Sequence, residues 1–141
     1  MKAEPAKHWS TLELPVLSAG LDGNLMFGEV LRHIPFEIRR FYVIYGIQNQ
    51  AVVRGQHAHK DLRQVLFCLH GTVKVSLNDG TETQTYLLDS PNKGIVMGPG
   101  VWREMSGMND QTVILTVADR EYSESDYIRK YDDFLHHIGK K

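Results

Sequence analysis

The sequence predicts an all-β chain, a small antiparallel β-barrel or jelly roll, finished by one C-terminal α-helix. Two observations carry this. Short segments rich in β-branched and aromatic residues recur every eight to twelve residues with turn residues between them, the pattern of a sandwich or barrel. Only beyond Ser123 do apolar residues fall at helical spacing instead.

Taken in order, residues 1–10 are polar and expected to fray, and Leu12 to Val16 alternates as a first strand, at an edge or exchanged with another copy. Asp22-Gly23-Asn24 is turn chemistry, and Leu25 to Val30 reads as a strand. Ile34-Pro35-Phe36 is an extended link, because proline biases its predecessor away from helix. Arg39 to Ile47 is a strand rich in β-branched and aromatic residues. Gln48 to Val53 loops into Gly55 to His59, and Val65 to Leu69 follows as an apolar strand. After the His70-Gly71 turn, Val73, Val75 and Leu77 share one face of a strand. Asn78-Asp79-Gly80 closes a hairpin, from which Glu82 to Leu88 returns. Asp89 to Asn92 turns again. Gly94 to Met97 and Thr112 to Ala118 supply the last strands, with Met108-Asn109-Asp110 as a turn between them. Ser123, with Asp126 three residues on, reads as the N-cap of a helix over 123–138. That helix places Tyr127, Ile128, Tyr131, Phe134, Leu135 and Ile138 on one face, to cover an open edge or end of the barrel. With no internal repeat, residues 1–141 read as one domain.

Composition excludes several classes of function. With 16 basic against 17 acidic residues the net charge is −1, which gives no global electrostatic case for nucleic acid or an anionic membrane. No apolar run approaches the roughly 20 residues of a membrane span, and the N-terminal residues lack the apolar core of a signal peptide. Cys68 is the single cysteine and lies in an apolar run, so it forms no internal disulfide. These features fit a cytoplasmic enzyme or binding domain.

The chemistry concentrates in Arg54-Gly55-Gln56-His57-Ala58-His59-Lys60, where the two histidines of an extended His-x-His point to one face. Later comes Gly94-Ile95-Val96-Met97-Gly98-Pro99-Gly100. The two stretches together resemble the two-part signature of the cupins, small β-barrels with an interior ligand pocket. Cupins usually add a glutamate soon after the histidines and a third histidine after Pro-Gly, a ligand set for divalent transition metals. Here those positions hold Arg63 or Gln64, and Arg103, a permanent cation that repels a metal. No metal is therefore expected, and the histidines are left for proton transfer near neutrality. Arg39, Arg40, Arg54, Lys60, Arg63 and Arg103 gather around the pocket strands, a concentration that favours phosphate or carboxylate ligands. Arg39 and Arg63 read as solvated charges, Arg40 and Arg54 as anchors for a diphosphate. Tyr42, Tyr45 and Trp102 either stack on a base or sugar or belong to the core.

Further motifs sharpen the resemblance. Ile34-Pro35-Phe36, Arg40, Arg54-Gly55-x-His57-Ala58-His59-Lys60, Gln64-Val65-Leu66 and Asp89-Ser90-Pro91 are similar to the nucleotide-sugar 3,4-ketoisomerases. So are Pro99-Gly100-Val101-Trp102-Arg103-Glu104 and Tyr122 through Asp126-Tyr127-Ile128-Arg129-x-Tyr131-Asp132-x-Phe134. The resemblance spans the chain from about residue 14 onward. It implies action on dTDP-4-keto-6-deoxy-D-glucose, a homodimer with exchanged strands, no metal or other cofactor, and a role in making 3-amino-3,6-dideoxyhexoses for surface polysaccharides such as lipopolysaccharide O-antigen. Relatives differ in the configuration left at sugar carbon 4. Arg103, where some relatives carry histidine, favours a gluco-configured product, and Asp22 is a second departure.

Ketone migration from carbon 4 to carbon 3 requires removal of the carbon 3 proton, an enediol and reprotonation at carbon 4. His57 and His59 fit as base and proton shuttle, in either order, while Arg103 or Arg54 steadies the oxyanion or diphosphate. Substrate and nucleotide are expected on Arg40, Arg54, Arg103, Tyr42 and Lys60. Three other readings stand beside this one: a cupin 3,5-epimerase on the same substrate with Tyr42 or Tyr45 as second proton donor, a non-catalytic sugar-nucleotide-binding cupin, and a metal-dependent enzyme.

Overall fold

The computed structural model describes residues 8–140. In chain order the strands are β1 (Trp9–Glu13), β2 (Val16–Ser18), β3 (Asn24–Met26), β4 (Arg40–Ile44), β5 (Arg54–His59) and β6 (Gln64–His70). They continue as β7 (Val73–Asn78), β8 (Thr83–Leu88), β9 (Lys93–Met97), β10 (Trp102–Ser106), β11 (Val113–Ala118) and β12 (Tyr127–Ile128), before helix α1 (Tyr131–His137). Two antiparallel five-stranded sheets, ordered β1-β9-β6-β11-β4 and β12-β5-β10-β7-β8, face each other, and β2-β3 forms a separate hairpin. This is the all-β arrangement with one C-terminal helix that the sequence predicts.

Alternation builds the interior. Val73, Val75 and Leu77 of β7 are fully buried and meet Leu66, Cys68, Ile95, Met97, Met105 and Ile114 in one apolar cluster. Cys68 is buried there, its thiol donating to the His70 carbonyl. A second cluster of Leu14, Ile34, Phe36, Val65, Phe67 and Val117 coats the other face of the β6-containing sheet. The remaining space between the sheets, near β4, β5 and β10, is polar.

Four expectations need correcting. Residues 9 and 10 do not fray: Trp9 is 3% exposed and pairs with Met97 across β1 and β9. Residues 1–7 of the expected frayed segment lie outside the described residues. The strand expected over Leu25 to Val30 stops at Met26 and gives way to a turn. Trp102–Ser106, read only as part of a turn-bearing motif, is a central strand, because β5 and β7 saturate its backbone on both sides.

The helix expected over 123–138 covers only Tyr131–His137. Glu124–Asp126 is a single 3₁₀ turn, and Tyr127–Ile128 is a short strand on the free edge of β5, opposite His59 and Ala58. Burying an unpaired strand edge is costly, and this pairing outweighs the local helical spacing. The edge is thus closed by β12. The helix instead packs on the outer face, where fully buried Phe134 meets Ala58, Trp102 and Ile128. No helix among the described residues is long and apolar enough to cross a membrane.

Candidate active site

A cleft of about 370 Å³ opens between β4 of one sheet and β5, β10 and β12 of the other, lined by Arg40, Tyr42, Arg54, His57, Tyr127 and Arg129 among others. Residues 40, 42 and 44 of β4 turn inward by strand alternation, while Phe41 and Val43 face out. On β5 the alternation is adjusted by a bulge. His57 pairs with Arg103 but Gly55 pairs with Glu104, so Gln56 is extra, and Gly55 and Gln56 take φ of +83° and +53°. A Cβ at Gly55 would stand 3.0 Å from the Arg103 carbonyl, so glycine permits this close approach.

The bulge turns the Gly55 carbonyl onto the ring of His57, 2.9 Å from Nδ1. A carbonyl only accepts, so Nδ1 carries the proton and Nε2 the lone pair. His57 therefore sits on the cleft wall as a neutral imidazole in one tautomer. Burial, then the Arg103 charge, lower its pKa to about 4, against a raising contribution from the Gly55 carbonyl. Arg129 lowers it further, and Glu124 opposes them.

His59 lies behind His57, their rings edge to face with centroids 4.9 Å apart. It is fully buried and does not line the cleft. Its Nδ1 is 2.9 Å from Oδ2 of Asp126, and its Nε2 is buried with no partner. Burial and the charge of Arg103 lower its pKa to about 2, with His57, Arg40 and Arg129 adding to the effect. The contact with Asp126 is thus a hydrogen bond from a neutral ring, not an ion pair. Tyr127 covers both rings, at 5.0 Å from His57 and 4.4 Å from His59.

Arg103 is 2% exposed and lies beneath the cleft. It donates to Gln64 Oε1 at 2.5 Å and to the Val101 carbonyl at 3.1 Å, and Gln64 in turn donates to the Tyr42 hydroxyl at 3.4 Å. Burial lowers its pKa to about 10, which leaves it a cation at neutral pH. Gln64 and Arg103, at two of the ligand positions of a metal-binding cupin, are thus bonded to each other. Among the described residues no three His, Cys, Asp or Glu side chains come together as a metal cage.

Arg40 lies 5.6 Å from the rings of Tyr42 and Tyr122, with Nε and Nη2 buried and unpartnered. Among the described residues, the other buried side-chain polar atoms without partners are His59 Nε2, Arg103 Nε and Thr116 Oγ1. All lie on β4, β5, β10 and β11 around the polar half of the interior. Buried polar groups are normally satisfied, so this concentration marks a place built for a polar ligand or water. Arg54 is exposed on the cleft wall.

Lys60 is separated from the other candidates: it lines two different clefts, one with Arg120 and Asp126 and one with Asp133 and His137. Tyr45 is 75% exposed and does not line the cleft. Trp102 is core, edge-on to Tyr131 and tilted against Phe134. Arg63 faces solvent, ion-paired to Asp119 at 3.0 Å. The sequence places Asp126 and Tyr127 in a helix and Tyr122 and Arg129 in a motif, with none of them as a site residue, yet all four lie at the histidine pair or the cleft, on the strap 122–129. Arg129 lies 4.2 Å over Tyr127 and forks onto Glu124 at 2.6 and 2.8 Å, pinning that strap.

A model of the family described as FdtA, WxcM-like, C-terminal, matches residues 7–139. The TDP-4-oxo-6-deoxy-alpha-D-glucose-3,4-oxoisomerase of Aneurinibacillus thermoaerophilus is 44% identical over 118 residues, 84% of each chain. QdtA, a sugar 3,4-ketoisomerase from Thermoanaerobacterium thermosaccharolyticum solved with TDP, is 36% identical with a TM-score of 0.90, over 95% of this chain and 96% of that one. A variant of QdtA solved with TDP-4-keto-6-deoxyglucose is 35% identical with a TM-score of 0.90, over 97% and 98% of the two chains. WlaRB, a TDP-quinovose 3,4-ketoisomerase from Campylobacter jejuni, is 35% identical with a TM-score of 0.86, over 93% and 99%.

Proposed function

The chain belongs to the FdtA family, WxcM-like, C-terminal, and from that premise we propose that it is a sugar-nucleotide 3,4-ketoisomerase converting dTDP-4-keto-6-deoxy-D-glucose to the 3-keto-6-deoxy isomer. The observation that carries this reading is His57, a neutral ring on the cleft wall whose Nδ1 is tied to the Gly55 carbonyl. Its Nε2 is thereby a ready base. The guanidinium of Arg40, with Nε and Nη2 buried and unpartnered, lines the same cleft and suits the diphosphate, with Arg54 beside it. Tyr42 and Tyr127 offer ring faces to the sugar.

In this reading His57 takes the proton from carbon 3 through Nε2 as the carbon 4 carbonyl gathers charge. On Nε2, in a cleft open to solvent, that proton exchanges with water, and His57 delivers a proton to carbon 4 when the enediol collapses to the 3-ketone. The hydroxyl proton passes from oxygen 3 to oxygen 4, and His59 serves as its shuttle. The two transfers balance, with no net gain or loss of electrons. Burial, and after it the Arg103 charge, keep both imidazoles neutral, and Arg103, a fixed cation beneath the rings, stabilises the enediolate. A gluco-configured product is supported by Arg103 and by the 35% identity to an enzyme named for TDP-quinovose, a gluco-configured sugar. A ketone at carbon 3 prepares that carbon for amine transfer. Incubation with dTDP-4-keto-6-deoxy-D-glucose should give the 3-keto isomer by proton NMR of the sugar. An unchanged substrate, or one epimerised with its ketone still at carbon 4, would refute the reading.

The protein is further proposed to be a homodimer that exchanges strands. Support comes from exposed apolar residues on the β2–β3 hairpin, Leu17 at 61% and Leu25 at 57%, and on the outer face of edge strand β4, Phe41 at 69%. Sedimentation should report twice the mass of 16.1 kDa; a monomer at micromolar concentration would remove this part.

A further inference from the structure

One acidic residue touches the histidine pair and has no part in the reaction just described. Asp126 ends the 3₁₀ turn before β12, and its side chain is 13% exposed. Its two carboxylate oxygens are divided. Oδ2 meets Nδ1 of His59 at 2.9 Å, and Oδ1 accepts the backbone N–H of Asp61 at 2.7 Å. Its own carbonyl accepts the Lys60 N–H at 3.0 Å, so the residue is locked to the end of β5. A carboxylate has acceptors only, and a neutral imidazole carries one N–H. The proton of His59 must therefore reside on Nδ1, and the buried, unpartnered Nε2 must hold the lone pair.

We propose that Asp126 is a positioning residue for the isomerisation, fixing His59 in the Nδ1–H tautomer so that its Nε2 is free to take the hydroxyl proton before passing it on. This rests on the 3,4-ketoisomerase reading. It makes the two histidines equivalent in state though not in support: a backbone carbonyl orients His57 and a carboxylate, 67 residues away in sequence, orients His59. Both rings then present a bare Nε2 to the interior, the state needed by a pair that must accept one proton from carbon and one from oxygen. The carboxylate also stabilises the imidazolium that forms while His59 holds the proton.

Two measurements test the assignment. In nitrogen-15 NMR of histidine-labelled wild-type protein, His59 should carry its proton on Nδ1, with Nε2 unprotonated; the opposite tautomer overturns the proposal. This readout needs no variant and no activity, so it stands apart from the test of the isomerase reading by turnover. In kinetics, Asp126→Asn leaves one oxygen to serve either His59 or Asp61 but not both. It should lower kcat roughly 10- to 100-fold with KM within about threefold, at a melting temperature close to wild type. In a His59→Asn background the same change should cost nothing more. Losses that multiply would show Asp126 acting apart from His59 and would overturn the proposal. Should Asp126→Asn fail to fold, the wild-type tautomer alone decides.

Discussion

The sharpest consequence of the site is an unusual pH profile. His57 is held neutral by burial and by Arg103, with Arg129 adding to this and Glu124 and the Gly55 carbonyl opposing, for a net pKa of about 4. As the base it must be unprotonated, so activity is present above its folded pKa and lost as pH falls through it. At pH 5.5 a group of pKa 4 is roughly 3% protonated, whereas a histidine at the ordinary 6.5 would be about 90% protonated. The two cases differ about tenfold in kcat/KM at that one pH, well beyond assay error. The assay is the initial rate of 3-keto product at subsaturating substrate, from pH 5 to 8, since kcat/KM reports the free enzyme. We expect a flat profile down to pH 5.5. A limb with its midpoint between pH 6 and 7 would refute the argument that burial and Arg103 set the state of His57. Stability moves over the same range. Below the unfolded value of about 6.5 the unfolded chain binds protons that folded His57 and His59 refuse, so stability falls as pH drops from there toward the folded values. Each histidine costs about 1.4 kcal/mol per pH unit in that window, roughly 3 kcal/mol for the pair at pH 5.5. That is less than a typical folding free energy, and circular dichroism at each pH separates unfolding from loss of the base.

Three further outcomes are expected. Arg40→Met removes a guanidinium with two unpartnered buried nitrogens and should weaken TDP binding roughly 10- to 100-fold, the scale of charge-assisted hydrogen bonds, as read by calorimetry; unchanged affinity would place the diphosphate elsewhere. Phe134→Ala empties a fully buried site against Trp102, Ala58 and Ile128, at a cost of about 3–5 kcal/mol and a melting temperature lowered by on the order of 10 °C, measurable by calorimetric scanning. Gly55→Ala puts a Cβ 3.0 Å from the Arg103 carbonyl at a φ of +83°, about 1–2 kcal/mol of strain; because the Gly55 carbonyl orients His57, kcat should fall more than KM rises.

The interior strands and the histidine pair were legible because their signals are local. Val73, Val75 and Leu77 alternate, and His57-Ala58-His59 carries its spacing with it. What escaped was decided across the fold. Trp102–Ser106 does not alternate cleanly, since Arg103 is buried inward while Trp102 is buried outward under the helix, so its strand character comes from pairing with β5 and β7. Tyr127 and Ile128 have helical spacing to Tyr131 and Phe134, which predicts that face, yet the open edge of β5 draws them into a strand. The Ser123-x-x-Asp126 pattern looks like a capping box. In the fold Ser123 makes no side-chain cap bond, and Asp126 is spent on His59 and Asp61. No local pattern encodes a contact between residues 59 and 126. The displacement of Lys60 from the cleft follows from strand alternation, which turns it away from His57 and His59.

The role of His57 in moving hydrogen between two sugar carbons is central. Its most direct test follows dTDP-4-keto-6-deoxy-D-glucose in deuterium oxide with wild type and His57→Asn side by side, reading ketone position and carbon 4 deuterium by NMR. Wild type should form the 3-keto isomer with solvent deuterium at carbon 4, and His57→Asn should slow both roughly 100-fold or more while still binding TDP. A variant that forms labelled 3-keto product at the wild-type rate would contradict the account.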